Sequence, residues 1–171
     1  MRLKRAFVGL FLAALTFFLW IGPPRDLSRP PGDDKGGAVL SLEKITHTED
    51  EWKALLTPEQ FCITRCGGTE RPFSGKYYNH KEKGTYLCSN CRNSLFRSEA
   101  KFDSGSGWPS FFEPLSPESV STREDKSLGM SRVEVLCSRC GAHLGHLFPD
   151  GPPPTGQRYC INSVALDFAP E

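Results

Sequence analysis

The sequence predicts a mainly β domain of the α+β class, built on antiparallel sheet, behind a separate N-terminal segment. Three observations carry this expectation. Helix signals are confined to two short stretches near residues 46–66. Several later stretches alternate with the two-residue period of a strand and are separated by Gly- and Pro-containing turns. Two C-x-x-C units then offer a cross-link for a domain with few helices. Of the 171 residues, 24% are charged and 38% apolar, which fits a folded domain rather than a disordered chain. The net charge of +1 argues against a nucleic-acid binder, which shows a basic excess or stripe.

In chain order, residues 1–24 come first. Arg2, Lys4 and Arg5 precede "AFVGLFLAALTFFLWIG", and no charge occurs between Ala6 and Pro24. This is the pattern of an export signal. The bulky residues of "FFLWIGPPRD" give no small-residue cleavage site, and the apolar run approaches the ~20 residues that span a bilayer. We read it as an uncleaved signal anchor, with a cleaved signal peptide as the alternative. The basic flank stays cytoplasmic by the positive-inside rule, so the domain is expected on the non-cytoplasmic side, in the periplasm of a bacterium. Cleavage would instead export or secrete it. Residues 25–41, rich in Pro, Gly and charge, read as a linker, and the domain is expected over 42–171.

"THTEDEWKALL" predicts a short helix, with Thr48 as cap and Glu51 closing a capping box. "TPEQFCITRC" repeats the device with Thr57, Pro58 and Gln60. Ser116-Pro117-Glu118 could open one further turn. "GTYLCSN" (84–90), "RVEVLCSR" (132–139) and "QRYCINSVALDF" (157–168) predict strands. As one strand, the last would carry Arg158, Cys160, Asn162, Val164, Leu166 and Phe168 on a single face.

Four of the seven cysteines form the pairs Cys88/Cys91 and Cys137/Cys140. Two such knuckles make an all-thiolate tetrahedral zinc site, one ion per chain, closed and therefore structural. Two disulfides, or a thioredoxin-like redox motif, are the alternatives. Cys160 has no such partner. A lone cysteine can be a small buried hydrophobe, but Arg158 and Asn162 flank this one. A cation favours the thiolate, the nucleophilic form. His143 and His146, just upstream, could activate it or deliver a proton. Each histidine taken alone has a structural or solvated reading.

"GTERPFSGKY", "FDSGSGWPSF", "HLGHLFPDGPPPTGQRYCINS" and the paired C-x-x-C units together resemble the methionine sulfoxide reductase B family over residues 48–169. The resemblance implies a "β-tent" of antiparallel sheets, a structural zinc, and reduction of the R epimer of methionine sulfoxide in proteins. It also implies that Cys160 is the nucleophile and that Trp108 walls the substrate's methyl pocket, with Phe148 and Asp150 in support. Many members of that family carry a resolving cysteine where this chain has Ser106. Some use a cysteine in the N-terminal region, which makes Cys66 the candidate, in a Gly-rich "CGGTE" stretch that could swing; Cys62 lies one turn earlier. Direct reduction of Cys160 by an external thiol is the rival. The expected partners are oxidised proteins or peptides and a thioredoxin-like reductant, with the domain acting as a monomer. The competing function is a catalytically idle, zinc-stabilised domain that grips oxidised or apolar peptides.

Overall fold

The computed structural model describes residues 43–171. The expected signal segment (1–24) and linker (25–41) lie outside the described residues. Two helices open the domain, α1 (Glu49–Leu55) and α2 (Pro58–Cys66). Both expected capping boxes are formed: Thr48 with Glu51, and Thr57 with Gln60, each hydroxyl accepting from the third-residue amide while the third side chain accepts from the cap's N–H. Caps of this kind stabilise a helix by about 1 kcal/mol each. Helix α2 ends at Gly67, whose φ of 73° is the left-handed cap that glycine adopts without strain. Trp52 of α1 and Ile63 and Thr64 of α2 are buried. Among the described residues, no helix is long and apolar enough to cross a membrane.

Every strand pairing is antiparallel. The strands are β1 (Gly84–Cys88), β2 (Ser94–Arg97), β3 (Lys101–Phe102), β4 (Ser110–Phe111), β5 (Val120–Asp125), β6 (Arg132–Cys137), β7 (His143–Phe148), β8 (Arg158–Ile161) and β9 (Leu166–Pro170). They form a three-stranded sheet, β2-β1-β9, and a six-stranded one, β3-β4-β8-β7-β6-β5. An aromatic core includes Tyr86, Phe96, Phe111 and Tyr159, with Phe96 and Phe111 stacked at 4.3 Å. Ser116 to Ser119 makes the single turn expected there, closed by Ser119 N–H donating to Ser116 C=O.

The expected long strand over 157–168 is broken. Strand β8 stops at Ile161, a 3-10 turn covers Ser163–Ala165, and β9 resumes in the other sheet. Arg158 and Cys160 therefore do not share a face with Leu166 and Phe168. The backbone amides that would continue the ladder are taken elsewhere. Ser163 and Val164 N–H groups donate to the two carboxylate oxygens of Glu70 (2.7 and 3.0 Å), and Ser163 Oγ accepts from Tyr77 N–H.

The two C-x-x-C units come together at one end. Cys88, Cys91, Cys137 and Cys140 are all buried, and their sulfurs lie within 4.8 Å of one another. Cys88–Cys140 and Cys91–Cys137 are 3.7 and 3.6 Å apart. A tetrahedral zinc with Zn–S bonds of ~2.3 Å requires sulfur–sulfur edges of about 3.8 Å. These spacings fit that cage and are far from a disulfide's ~2.05 Å. Each knuckle is a tight turn, with Arg92 N–H on Cys88 C=O and Gly141 N–H on Cys137 C=O. Asn93 Nδ2 adds a contact to Cys137 sulfur at 3.7 Å, and an oriented N–H there favours thiolate. The donor set holds a structural zinc, and with all four positions taken by thiolates the site leaves none for chemistry.

Candidate active site

Strand β8 places Cys160 at the centre of the six-stranded sheet. Its cross-strand neighbours are Ser110 on β4 and His146 on β7, and the next pair along β7 and β8 in register with that face is Phe148 with Arg158. Directly paired residues project from the same side of a sheet about 5 Å apart. A cavity of about 140 Å³ opens over this row, lined by Thr69, Trp108, Arg132, Gly145, His146, Phe148, Cys160 and Asn162. A Cβ on Gly145 would run into the Cys160 carbonyl, so only glycine lets β7 approach the thiol strand this closely.

The Cys160 thiol is half-buried and touches Ser106 Oγ at 3.8 Å. Ser106 is held in turn: its Oγ meets Ser104 Oγ at 2.8 Å, and Ser104 meets Ser110 at 2.8 Å. Position 106, where the family resemblance led one to look for a resolving cysteine, is thus in contact with the thiol, and here it offers a hydroxyl. Arg158 is engaged. Its guanidinium pairs with Asp150 through two bonds of 2.8 and 2.9 Å and lies over the Phe148 ring at 4.4 Å. Burial pushes the Cys160 thiol above its ordinary value, while Ser106 and then Arg158 pull it down without prevailing. Arg158 therefore favours the thiolate less than its place beside Cys160 in the sequence suggests, because burial opposes the charge and Asp150 pairs with the cation.

The histidines differ in placement. His146 lines the Cys160 cavity, and its Nε2 is 2.9 Å from Asp125 Oδ2, which also binds Arg132 Nη2 at 2.6 Å. His143 is buried and absent from that cavity's wall. Its Nδ1 is 2.7 Å from Glu134 Oε1, and Arg123 grips the other oxygen of Glu134. Burial lowers the pKa of His143 against the pull of Glu134. The rings still meet edge to face at 5.4 Å. Three positions apart, they would stand on opposite faces of a regular strand. A β-bulge at Leu144 removes the mismatch: Val135 pairs Gly145 but Leu136 pairs His143. The Leu144 carbonyl accepts from both the backbone N–H (2.8 Å) and Nδ2 (3.1 Å) of Asn162.

Asn162 reaches the cavity wall, yet its amide is committed to structure, since Oδ1 accepts from Glu70 N–H. Trp108 donates from Nε1 to Glu70 C=O at 3.2 Å, which fixes the indole across the cavity. Glu70 therefore ties together the Trp108 loop and the turn that follows Cys160. It is buried, and burial pushes its carboxyl up. Nothing in "GTERPFSGKY" itself marks Glu70 for this role, because its partners Ser163 and Val164 lie in a distant part of the chain. Arg123, Asp125, Arg132 and Glu134 also went unnoticed. Their signal was present: "STRED" and "RVEV" alternate charges that face one another as Asp125–Arg132 and Arg123–Glu134 cross-strand pairs.

Cys62 and Cys66 are both exposed, and both belong to α2; Cys66 is its last residue rather than the start of a loop. Cys66 does not line the Cys160 cavity. It borders a neighbouring polar cavity of about 310 Å³, which shares Arg132 and His146 with the first.

A closed four-thiol cage and a separate single thiol in an aromatic-walled pocket define a zinc-stapled antiparallel β domain of thiol redox type. The comparisons agree on which one. The SelR domain model matches residues 56–170. A peptide methionine sulfoxide reductase MsrB of Methanosarcina mazei is 57% identical over 132 residues, covering 77% of this chain and 94% of the relative. Proteins of the same name from Pseudomonas fluorescens (57% over 129 residues, 75% and 99%) and Agrobacterium fabrum (53% over 131 residues, 77% and 97%) are similar. The chain belongs to this SelR family of methionine sulfoxide reductases.

Proposed function

We propose that the chain reduces methionine R-sulfoxide in peptides and proteins, with Cys160 as nucleophile. The observation that carries the reading is the placement of one thiol, apart from the metal cage, in a small cavity between Trp108, Phe148 and His146. The indole and phenyl faces suit an S-methyl group. Cys160 sulfur attacks the sulfoxide sulfur, and a proton reaches the sulfoxide oxygen from His146, the nearer general acid, with His143 behind it. Methionine departs reduced by two electrons, and Cys160 is left as sulfenic acid, oxidised by two. Ser106 and Arg158 stabilise the thiolate as the substrate enters. At this level of identity to reductases, the idle peptide-gripping alternative is the poorer account.

Ser106 cannot form a disulfide. Recycling is assigned to Cys66: its thiolate attacks the Cys160 sulfur, water leaves, and a thioredoxin-like dithiol reduces the resulting bond. Such a bond needs Cα atoms within about 7 Å, so a larger resting distance requires the end of α2 to move; the cavity that Cys66 borders shares His146 and Arg132 with that of Cys160. Cys62 is the alternative one turn away, and direct attack of the donor on Cys160 is the rival. Residues 6–22 are read as a membrane anchor with the domain on the non-cytoplasmic side, supported by the uncharged run behind a basic flank.

Turnover of separated R and S sulfoxide peptides with dithiothreitol tests the core claim. The R epimer alone should be reduced, and Cys160→Ser should be inactive; normal turnover by that variant would sink the reading. Mass mapping after one turnover should find Cys160 bonded to Cys66. Undiminished thioredoxin-driven turnover in a Cys62/Cys66 double variant would move the role to the donor. Alkaline carbonate should leave the full chain in the membrane fraction, and its release would refute the anchor.

A further inference from the structure

Phe73 is 61% exposed, one of the few large apolar side chains so exposed among the described residues. It is also strained: its φ is 64°, the left-handed region that a bulky residue avoids. Folding thus maintains an unfavourable backbone angle in order to hold an aromatic ring in water, a combination that marks a functional position. The ring has a defined seat. Phe73 N–H donates to Gly107 C=O at 2.7 Å, and the ring meets Tyr78 edge-on at 5.2 Å. Gly107 has φ of 93°, and a Cβ there would stand 2.8 Å from Pro72 Cβ and 3.1 Å from Phe73 Cδ2. Pro72 and Phe73 are therefore pressed onto the loop that carries Ser106 and Trp108. Thr69, four residues before Phe73, is already part of the cavity wall.

The cavity sets what lies over this ring. At about 140 Å³ it is smaller than the 300–1,000 Å³ of sites that enclose a whole ligand. It admits one long side chain, and the polypeptide bearing that side chain must run across the rim. We propose that Phe73 is the rim platform for the substrate polypeptide, and that it selects sulfoxides flanked by apolar residues. The proposal rests on the sulfoxide-reductase reading above. It assigns Phe73 to binding rather than to the chemical step, since it stands outside the cavity that holds Cys160. Its ring also loses little freedom on binding, having been fixed beforehand by Gly107 and Tyr78.

The test uses the full chain in detergent with dithiothreitol and three R-sulfoxide substrates: N-acetylmethionine sulfoxide amide, and short peptides with the sulfoxide flanked by leucines or by aspartates. Wild type should favour the leucine peptide. Phe73→Ala should lower kcat/KM for that peptide about tenfold, through KM, as loss of an aromatic anchor does. The single amino-acid substrate should change by less than about twofold, and Phe73→Trp should restore the preference. Phe73→Gly separates strain from contact: it frees the backbone at this angle, so it should be more stable than Phe73→Ala yet equally poor on the leucine peptide. Equal losses on all three substrates, or none, would overturn the platform, as would a Phe73→Gly enzyme with wild-type peptide preference. A wild type that leaves even the single amino-acid sulfoxide untouched would refute the reductase reading, and the platform with it.

Discussion

The same side chain does opposite work at two ends of this domain. At the knuckle end, four thiols are buried sulfur against sulfur, in two tight turns from separate sheets, and their neighbours are backbone amides. At the pocket end, Cys160 has a hydroxyl, an aromatic wall and a histidine for company. Proximity to other thiolates makes a cysteine a metal ligand whose reactivity is spent on the ion; isolation in a small cavity keeps a sulfur available for one substrate atom. The contrast teaches that cysteine role follows from neighbours, because burial occurs in both places.

The largest test of that contrast is the exchange of one atom at each end. Cys88→Ser should lose the zinc and unfold the domain, since structural zinc contributes on the order of 10 kcal/mol to folding. Metal analysis and a thermal melt read this directly. Cys160→Ser should keep its zinc and its melt while losing all turnover. Matching melts for the two variants would erase the distinction.

A narrower test lies within the pocket. His146→Ala should slow single-turnover reduction by roughly 10²–10⁴, the value of a lost general acid. His143→Ala should slow it less and lower the melting temperature more, because His143 is buried on Glu134 and away from the cavity wall. The reverse order would make His143 the proton donor. Smaller still is the effect of Arg158→Met. It removes a cation that pulls the Cys160 thiol down, so alkylation of Cys160 should shift to higher pH and slow severalfold at neutral pH.

The smallest effect is on stability against pH. His143 has its folded pKa depressed below 6.5 by burial. Below that value the unfolded chain takes a proton that the native ring resists, so unfolding becomes easier. Stability should be level above about pH 6.5 and fall as pH drops below it. His143→Gln should flatten that slope in denaturant titrations between about pH 7 and 5; an unchanged slope would place its origin elsewhere.

Much of this was legible in the chain. Both capping boxes follow from Thr48, Glu51, Thr57 and Gln60, because caps are local chemistry three residues wide. The four zinc ligands follow from spacing that a knuckle dictates. Cys160 could be singled out by subtraction from the other thiols. What stayed hidden is what distant residues do to one another. Nothing within 157–168 announces that Glu70, some 90 positions earlier, takes the amides of Ser163 and Val164 and ends the strand. Arg158 read as a free cation because its partner Asp150 lies across a Pro-rich loop. Cys66 looks like loop because it precedes two glycines, yet the helix runs through Cys66 and ends only at Gly67.

The bulge at Leu144 gives β7 one residue more than its partner strand, and that residue has work of its own. Between His143 and His146 the chain counts three steps where the partner strand counts two. Deleting Leu144 would restore an even ladder and leave both histidines on one side of the sheet, yet it would straighten the strand where the bulge now bends it. It would also withdraw the carbonyl on which Asn162 hangs. Substitutions in this stretch are graded in their cost, whereas loss of the extra residue removes at one stroke the bend in β7 and the anchor of Asn162.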